Sequence, residues 1–136
     1  CNPHNPVGRV FTHAEVEQVL EFCERNDLIL CSDEIHCDLI LDDLPHVPML
    51  SFGERAYRRS FTMMSASKTY NIPGLACAYC IIPDPKLRVA FKKAARGIVT
   101  EINCFGYAGA MADLRLRTAG NAPSTLPEHS RVGACL

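Results

Sequence analysis

Between Thr12 and Ser32 the hydrophobic period changes from that of a helix to that of a buried strand. That change constrains the fold of this 136-residue chain more than any other feature. In "THAEVEQVLEFCERND", Val16, Val19, Leu20 and Cys23 recur at i, i+3, i+4 and i+7, one face of an amphipathic helix. Thr12 followed by Glu15 supplies the capping box that starts it. "LILCS" follows at once, too short for a helix and apolar throughout, and reads as a strand covered on both faces.

The alternation repeats. "SFTMMS" and "LACAYCII" read as two further strands. "PDPKLRVAFKKAARGI" reads as a second helix, with Asp84 as N-cap and Pro85 at its first position. "VPMLSFGERAYRR" has little periodicity and reads as a connection. Strands alternating with helices predict an α/β fold with a largely parallel sheet. In such sheets ligands lie outside the C-terminal strand ends. Asp33 and Lys68 each follow a strand and are expected at that mouth, joined by Asn5 if a strand precedes Cys1.

Other classes find little support. A net charge of −1 gives no polyanion-binding signature. No apolar run reaches the ~18 residues that span a bilayer, and no secretory leader is legible. Eight cysteines would suit a disulfide or zinc module, but Cys23, Cys31, Cys77 and Cys80 sit inside apolar runs, as buried free thiols do. Cys77 and Cys80 form a C-x-x-C within an expected strand, which would send them to opposite faces. The expectation is a reduced, cytoplasmic protein without metal.

An amine and a carboxylate at one site mouth are ordinarily a salt bridge. A lysine that serves pyridoxal 5′-phosphate needs more. It needs a carboxylate for the pyridine nitrogen, a donor for the phenolic oxygen and donors for the phosphate. Asp33, Asn5, Ser65 and Ser67 are of the right types.

The stretches "NPHNPVGRVFT", "SDEIHCDL" and "SASKTYNIPGL" together resemble the class I/II aminotransferase superfamily of pyridoxal-phosphate enzymes. They are most similar to its C–S lyase branch, the cystathionine β-lyase-like proteins. The resemblance runs from Cys1 to about Gly109, with three motifs in the family order. It implies the large cofactor-binding domain of the aspartate-aminotransferase-like fold, a three-layer α/β/α arrangement with a mostly parallel sheet. By this likeness Lys68 is the catalytic amine that anchors the cofactor and moves the substrate's Cα proton. Asp33 pairs with the pyridine nitrogen, Asn5 binds the phenolic oxygen, and Ser65 and Ser67 bind the phosphate. His36 stands where the wider family has tyrosine, and reads either as a cofactor-side residue or as a packing histidine. His4, His13, His46 and His129 carry no comparable argument. Many aminotransferases place an arginine at the position of Ala76, and the lyase branch commonly lacks it.

The activity implied is β-elimination on cystathionine or another cysteine S-conjugate, giving a thiol, pyruvate and ammonia. Transamination is the near alternative, and a non-catalytic remnant the distant one. Full-length members act as homodimers on small amino acid substrates, with neither nucleic acid nor membrane as partner. The chain opens on Cys1 and is expected to be an internal fragment, with residues 1–113 part of the large domain. Residues 114–136 have Gly, Pro and Ser scattered without apolar period, and are expected to form an irregular tail, disordered or frameshifted.

Overall fold

The computed structural model of the chain describes residues 1–118. These divide into two compact units, one of Cys1–Met64 with Tyr79–Thr100, the other of Ser65–Ala78 with the chain from Glu101 onward.

The first unit is built on three strands, β1 (Leu30–Asp33), β2 (Ser60–Met64) and β3 (Tyr79–Ile81), in that order across the sheet. β1 and β2 are parallel, with Leu30 opposite Ser60 and Asp33 opposite Met63. β3 runs antiparallel to β2, so the described sheet is mixed. Helix α1 (His13–Arg25) starts where the sequence places it. Thr12 Oγ1 accepts the Glu15 N–H, and Glu15 accepts the Thr12 N–H at 2.9 Å. α4 (Pro85–Ala95) likewise starts at Asp84, whose carboxylate accepts the Leu87 N–H at 2.7 Å.

Strand alternation separates the two faces of this sheet. Leu30, Ser60 and Thr62 face α1, where Val16, Leu20, Met49 and Ala56 form the buried cluster and Leu30 packs against it. Phe61 points the other way and meets Phe91 of α4, ring centroids 5.2 Å apart. Helices therefore cover both faces, the layering expected from the sequence. The segment read as a plain connection holds a 3₁₀ turn (Met49–Phe52) and a short helix α2 (Glu54–Tyr57). Single turns are too short to register as a period. Arg55 of α2 grips Glu24 and Glu17 of α1 at 2.8 and 2.9 Å.

The second unit contains a one-turn helix α3 (Ala66–Thr69), a 3₁₀ turn (Pro73–Leu75) and α5 (Cys104–Thr118). α5 crosses the Leu75–Cys77 segment closely. A Cβ on Gly106 would stand 2.7 Å from the Leu75 carbonyl oxygen. Asn103 fastens this crossing: its amide donates to the Leu75 carbonyl at 3.1 Å and its Oδ1 accepts the Gly106 N–H at 2.8 Å.

Two expectations need correction. "LACAYCII" is not one strand: Ala76 sits in the left-handed region at φ 48°, and pairing begins only at Tyr79. Pro73 and Gly74 turn the chain before it can extend, so Cys77 lies outside the strand that holds Cys80. The irregular tail was expected from residue 114, but α5 continues to Thr118 through a run rich in Ala, Leu and Arg. The rest of that segment lies outside the described residues.

Candidate active site

Asp33 is the last residue of β1. Its Oδ1 accepts the Ile35 N–H at 3.2 Å, a side-chain-closed turn that stops the strand. Its backbone carbonyl accepts the Asn2 N–H at 2.9 Å, which lays the N-terminal segment beside the strand end. Asn2 is buried, and its own Oδ1 accepts the Phe11 N–H at 2.9 Å. That segment then makes a tight reversal. His4 N–H donates to the Arg9 carbonyl at 2.9 Å, Gly8 takes φ 74°, and Asn5 stands exposed within the turn. His36 lies half-buried in the turns that follow β1.

The sequence reasoning missed Glu34, directly after Asp33. It is 3 % exposed, yet its carboxylate accepts three hydrogen bonds. Ser32 Oγ donates at 2.8 Å, the Met49 N–H at 2.9 Å and His46 Nε2 at 2.9 Å. Burial works against the charge, but the bonds from His46, Met49 and Ser32 outweigh it and hold the pKa below the usual glutamate value. The Glu34 N–H also donates to the Met63 carbonyl at 3.0 Å. His46, set aside on sequence grounds, is thus the partner of a buried acid. The available signal was the acid itself: a glutamate entering the core needs donors, and His46 is the nearest downstream histidine after His36.

β2 ends at Met64, and the chain enters the second unit at Ser65. Ser65 caps α3. Its Oγ accepts the Ser67 N–H at 3.1 Å, donates to the Cys77 carbonyl at 2.8 Å and lies 2.7 Å from Ser67 Oγ. Lys68 follows on α3 with its side chain exposed. The expected set is therefore divided: Asn5, Asp33 and His36 belong to the first unit, and Ser65, Ser67 and Lys68 to the second.

The donor chemistry fits pyridoxal 5′-phosphate. A carboxylate, an amide and a primary amine are present. The serine pair offers a proton as well, since turning the Ser67 hydroxyl outward breaks only the hydroxyl–hydroxyl contact and leaves Ser65 on Cys77.

Comparisons with known proteins identify the family. The family described as aminotransferase class I and II matches residues 1–122. Cystathionine beta-lyase PatB of Bacillus subtilis is 40% identical over 91 residues, 67% of this chain and 24% of its own. The crystal structure of OvoB superposes with a TM-score of 0.82 at 43% identity, covering 89% of this chain and 32% of that one. Cystalysin of Treponema denticola, whose structure contains a pyridoxal 5′-phosphate cofactor, gives a TM-score of 0.74 at 35% identity, over 80% of this chain and 28% of that one. The chain thus spans about a quarter to a third of the length of these relatives. With its motifs in order and its strands and helices superposing on theirs, the chain belongs to the class I and II aminotransferase family of pyridoxal-phosphate enzymes.

Proposed function

We propose that this chain is part of a pyridoxal-phosphate-dependent C–S lyase that cleaves cysteine S-conjugates such as cystathionine by β-elimination. The observation that carries the reading is Lys68, an exposed amine placed directly after the hydrogen-bonded hydroxyls of Ser65 and Ser67. In this reading Lys68 holds the cofactor and then takes the Cα proton of the substrate on its amine. Asp33 supplies the negative charge that keeps a ring nitrogen protonated, and the Asn5 amide donates to a phenolic oxygen. Ser67, with Ser65 behind it, donates to the phosphate, and His36 lines the cofactor side of the turn after β1. Pyridoxal phosphate, when bound, supplies an electron-withdrawing ring that takes up the charge left at Cα. As Lys68 removes the proton, the Cβ–S bond breaks and the sulfur departs as thiolate. The released enamine hydrolyses to pyruvate and ammonia.

Support for lyase over transaminase comes from PatB's name, from His36 in the tyrosine position and from Ala76 in the arginine position. Transamination is the second reading, favoured by the family description itself. Reduction with borohydride after incubation with pyridoxal phosphate, followed by peptide mass mapping, tests the shared part. A stoichiometric pyridoxyl adduct on Lys68, absent in Lys68→Ala, is expected. Adducts scattered over several lysines, or none, would overturn the reading for this chain. Pyruvate release from cystathionine then separates lyase from transaminase, which would instead consume an added keto acid.

A further inference from the structure

Glu34 stands between the two residues of the first unit that frame the proposed site, Asp33 before it and His36 after it. Its carboxylate joins three separate stretches of chain: Ser32 on β1, His46 at the far end of the following loop, and Met49 at the start of a 3₁₀ turn. Its N–H is fixed as well, on the Met63 carbonyl of β2. Main chain and side chain of one residue are both pinned, so the peptide that leaves Asp33 has no freedom to rotate. The Asp33 carboxylate, next to this pinned residue, is closed on the Ile35 N–H.

His46 completes the arrangement. Its Nε2 donates to Glu34, while Nδ1 is buried with no partner among the described residues. Nothing polar on the Nδ1 side orients the ring, so its setting depends on Glu34. Residues 35–45 lie between the two members of this bond, and they carry His36. The same loop exposes Leu41 and Leu44 and three acids, Asp38, Asp42 and Asp43.

We infer that Glu34 and His46 are positioning residues for the proposed site, a buried clamp that aims the Asp33 carboxylate and holds the His36 loop. Glu34 is not itself an acid–base group, because its carboxylate is enclosed and committed to three donors. Glutamine could not replace it neutrally. Its amide would turn an N–H toward one of those donors. The inference rests on the cofactor role proposed for Asp33, but its geometric part can be read without cofactor.

Amide hydrogen exchange on the full chain tests it. In His46→Leu, the Ile35 and Asn2 amides, which donate to Asp33, are expected to exchange about tenfold faster or more, with the Leu30 amide on Arg59 unchanged. His46→Gln keeps a donor and is expected to restore protection. Glu34→Gln carries the same comparison should His46→Leu fail to fold. No local change, or equal acceleration at Leu30, would overturn the inference, since the pair would then serve only general stability. A double-mutant cycle adds the functional arm. Glu34→Gln should weaken pyridoxal phosphate binding about tenfold, and this loss should vanish in an Asp33→Ala background. Additive losses would overturn the positioning role. A wild-type chain that binds no cofactor would sink the proposed function, while the exchange pattern would still decide the clamp.

Discussion

Nε2 of His46 lies 2.9 Å from Oε2 of Glu34, and both side chains are withdrawn from solvent. The two residues are separated by an irregular loop, so their meeting is a product of folding and not of local sequence. Removing one member leaves the other buried without its partner. His46→Ala is therefore expected to cost about 3 kcal/mol, read as a lower urea midpoint.

Acid should undo the same interaction. The folded pKa of Glu34 lies below its ordinary 4.5, so its contribution is fully present above about 4.5 and is lost as the pH falls through the lower folded value. Urea unfolding at neutral and acid pH measures this. The wild type should lose stability more steeply below that pH than Glu34→Gln, which has no such proton to take up. Parallel curves would show that the carboxylate contributes nothing specific.

Two glycines of α5 should respond differently to alanine. At Gly106 the new methyl meets a backbone oxygen at 2.7 Å, which cannot step aside without moving the Leu75–Cys77 segment. At Gly109 it meets the end of the Leu75 side chain at 2.8 Å, which can change rotamer. Gly106→Ala should cost about 1–3 kcal/mol, and Gly109→Ala markedly less, offset by the better helix propensity of alanine. Thermal unfolding of the two variants side by side makes the comparison.

The first unit should lean on its buried apolar cluster far more than on its surface ion pairs. Leu20 is 0% exposed, and Leu20→Ala is expected to cost about 2–5 kcal/mol. Arg55 bonds two glutamates of α1 but remains exposed, and Arg55→Ala should cost far less than Leu20→Ala. Denaturant titration distinguishes the two, and a larger loss at Arg55 would reverse this ranking.

For the proposed chemistry, Asp33 and Lys68 should fail in different ways. Lys68→Ala should abolish the pyridoxyl adduct itself. Asp33→Ala should still form one, but should slow exchange of the substrate's Cα hydrogen with deuterium about 10²–10³-fold. Deuterium uptake followed by mass spectrometry reads this step apart from product release. Equal uptake in Asp33→Ala and wild type would remove Asp33 from the mechanism.

Much of the architecture was legible from short stretches. The Thr12–Glu15 box and the Asp84 cap join residues three apart, and the bonds that define them form within one helical turn. Asp33 and Lys68 were read as following strands because apolar runs stop there; Asp33 closes β1, and Lys68 lies on α3, four residues past the end of β2. Pairing was less legible. That β3 runs antiparallel, and that Cys77 falls outside it, depends on how the chain turns at Pro73 and Ala76.

The candidate residues themselves came from residue type and order, properties a linear chain carries without folding. Glu34 and His46 did not, nor did the hold of Ser65 on the Cys77 carbonyl. Each of these joins atoms distant in the chain. The strength of the Glu34–His46 bond comes from exclusion of water, which exists only once the first unit has folded around it. Periodicity and caps are written in neighbouring side chains. Which polar groups end up buried, and with whom, is decided by the packed interior.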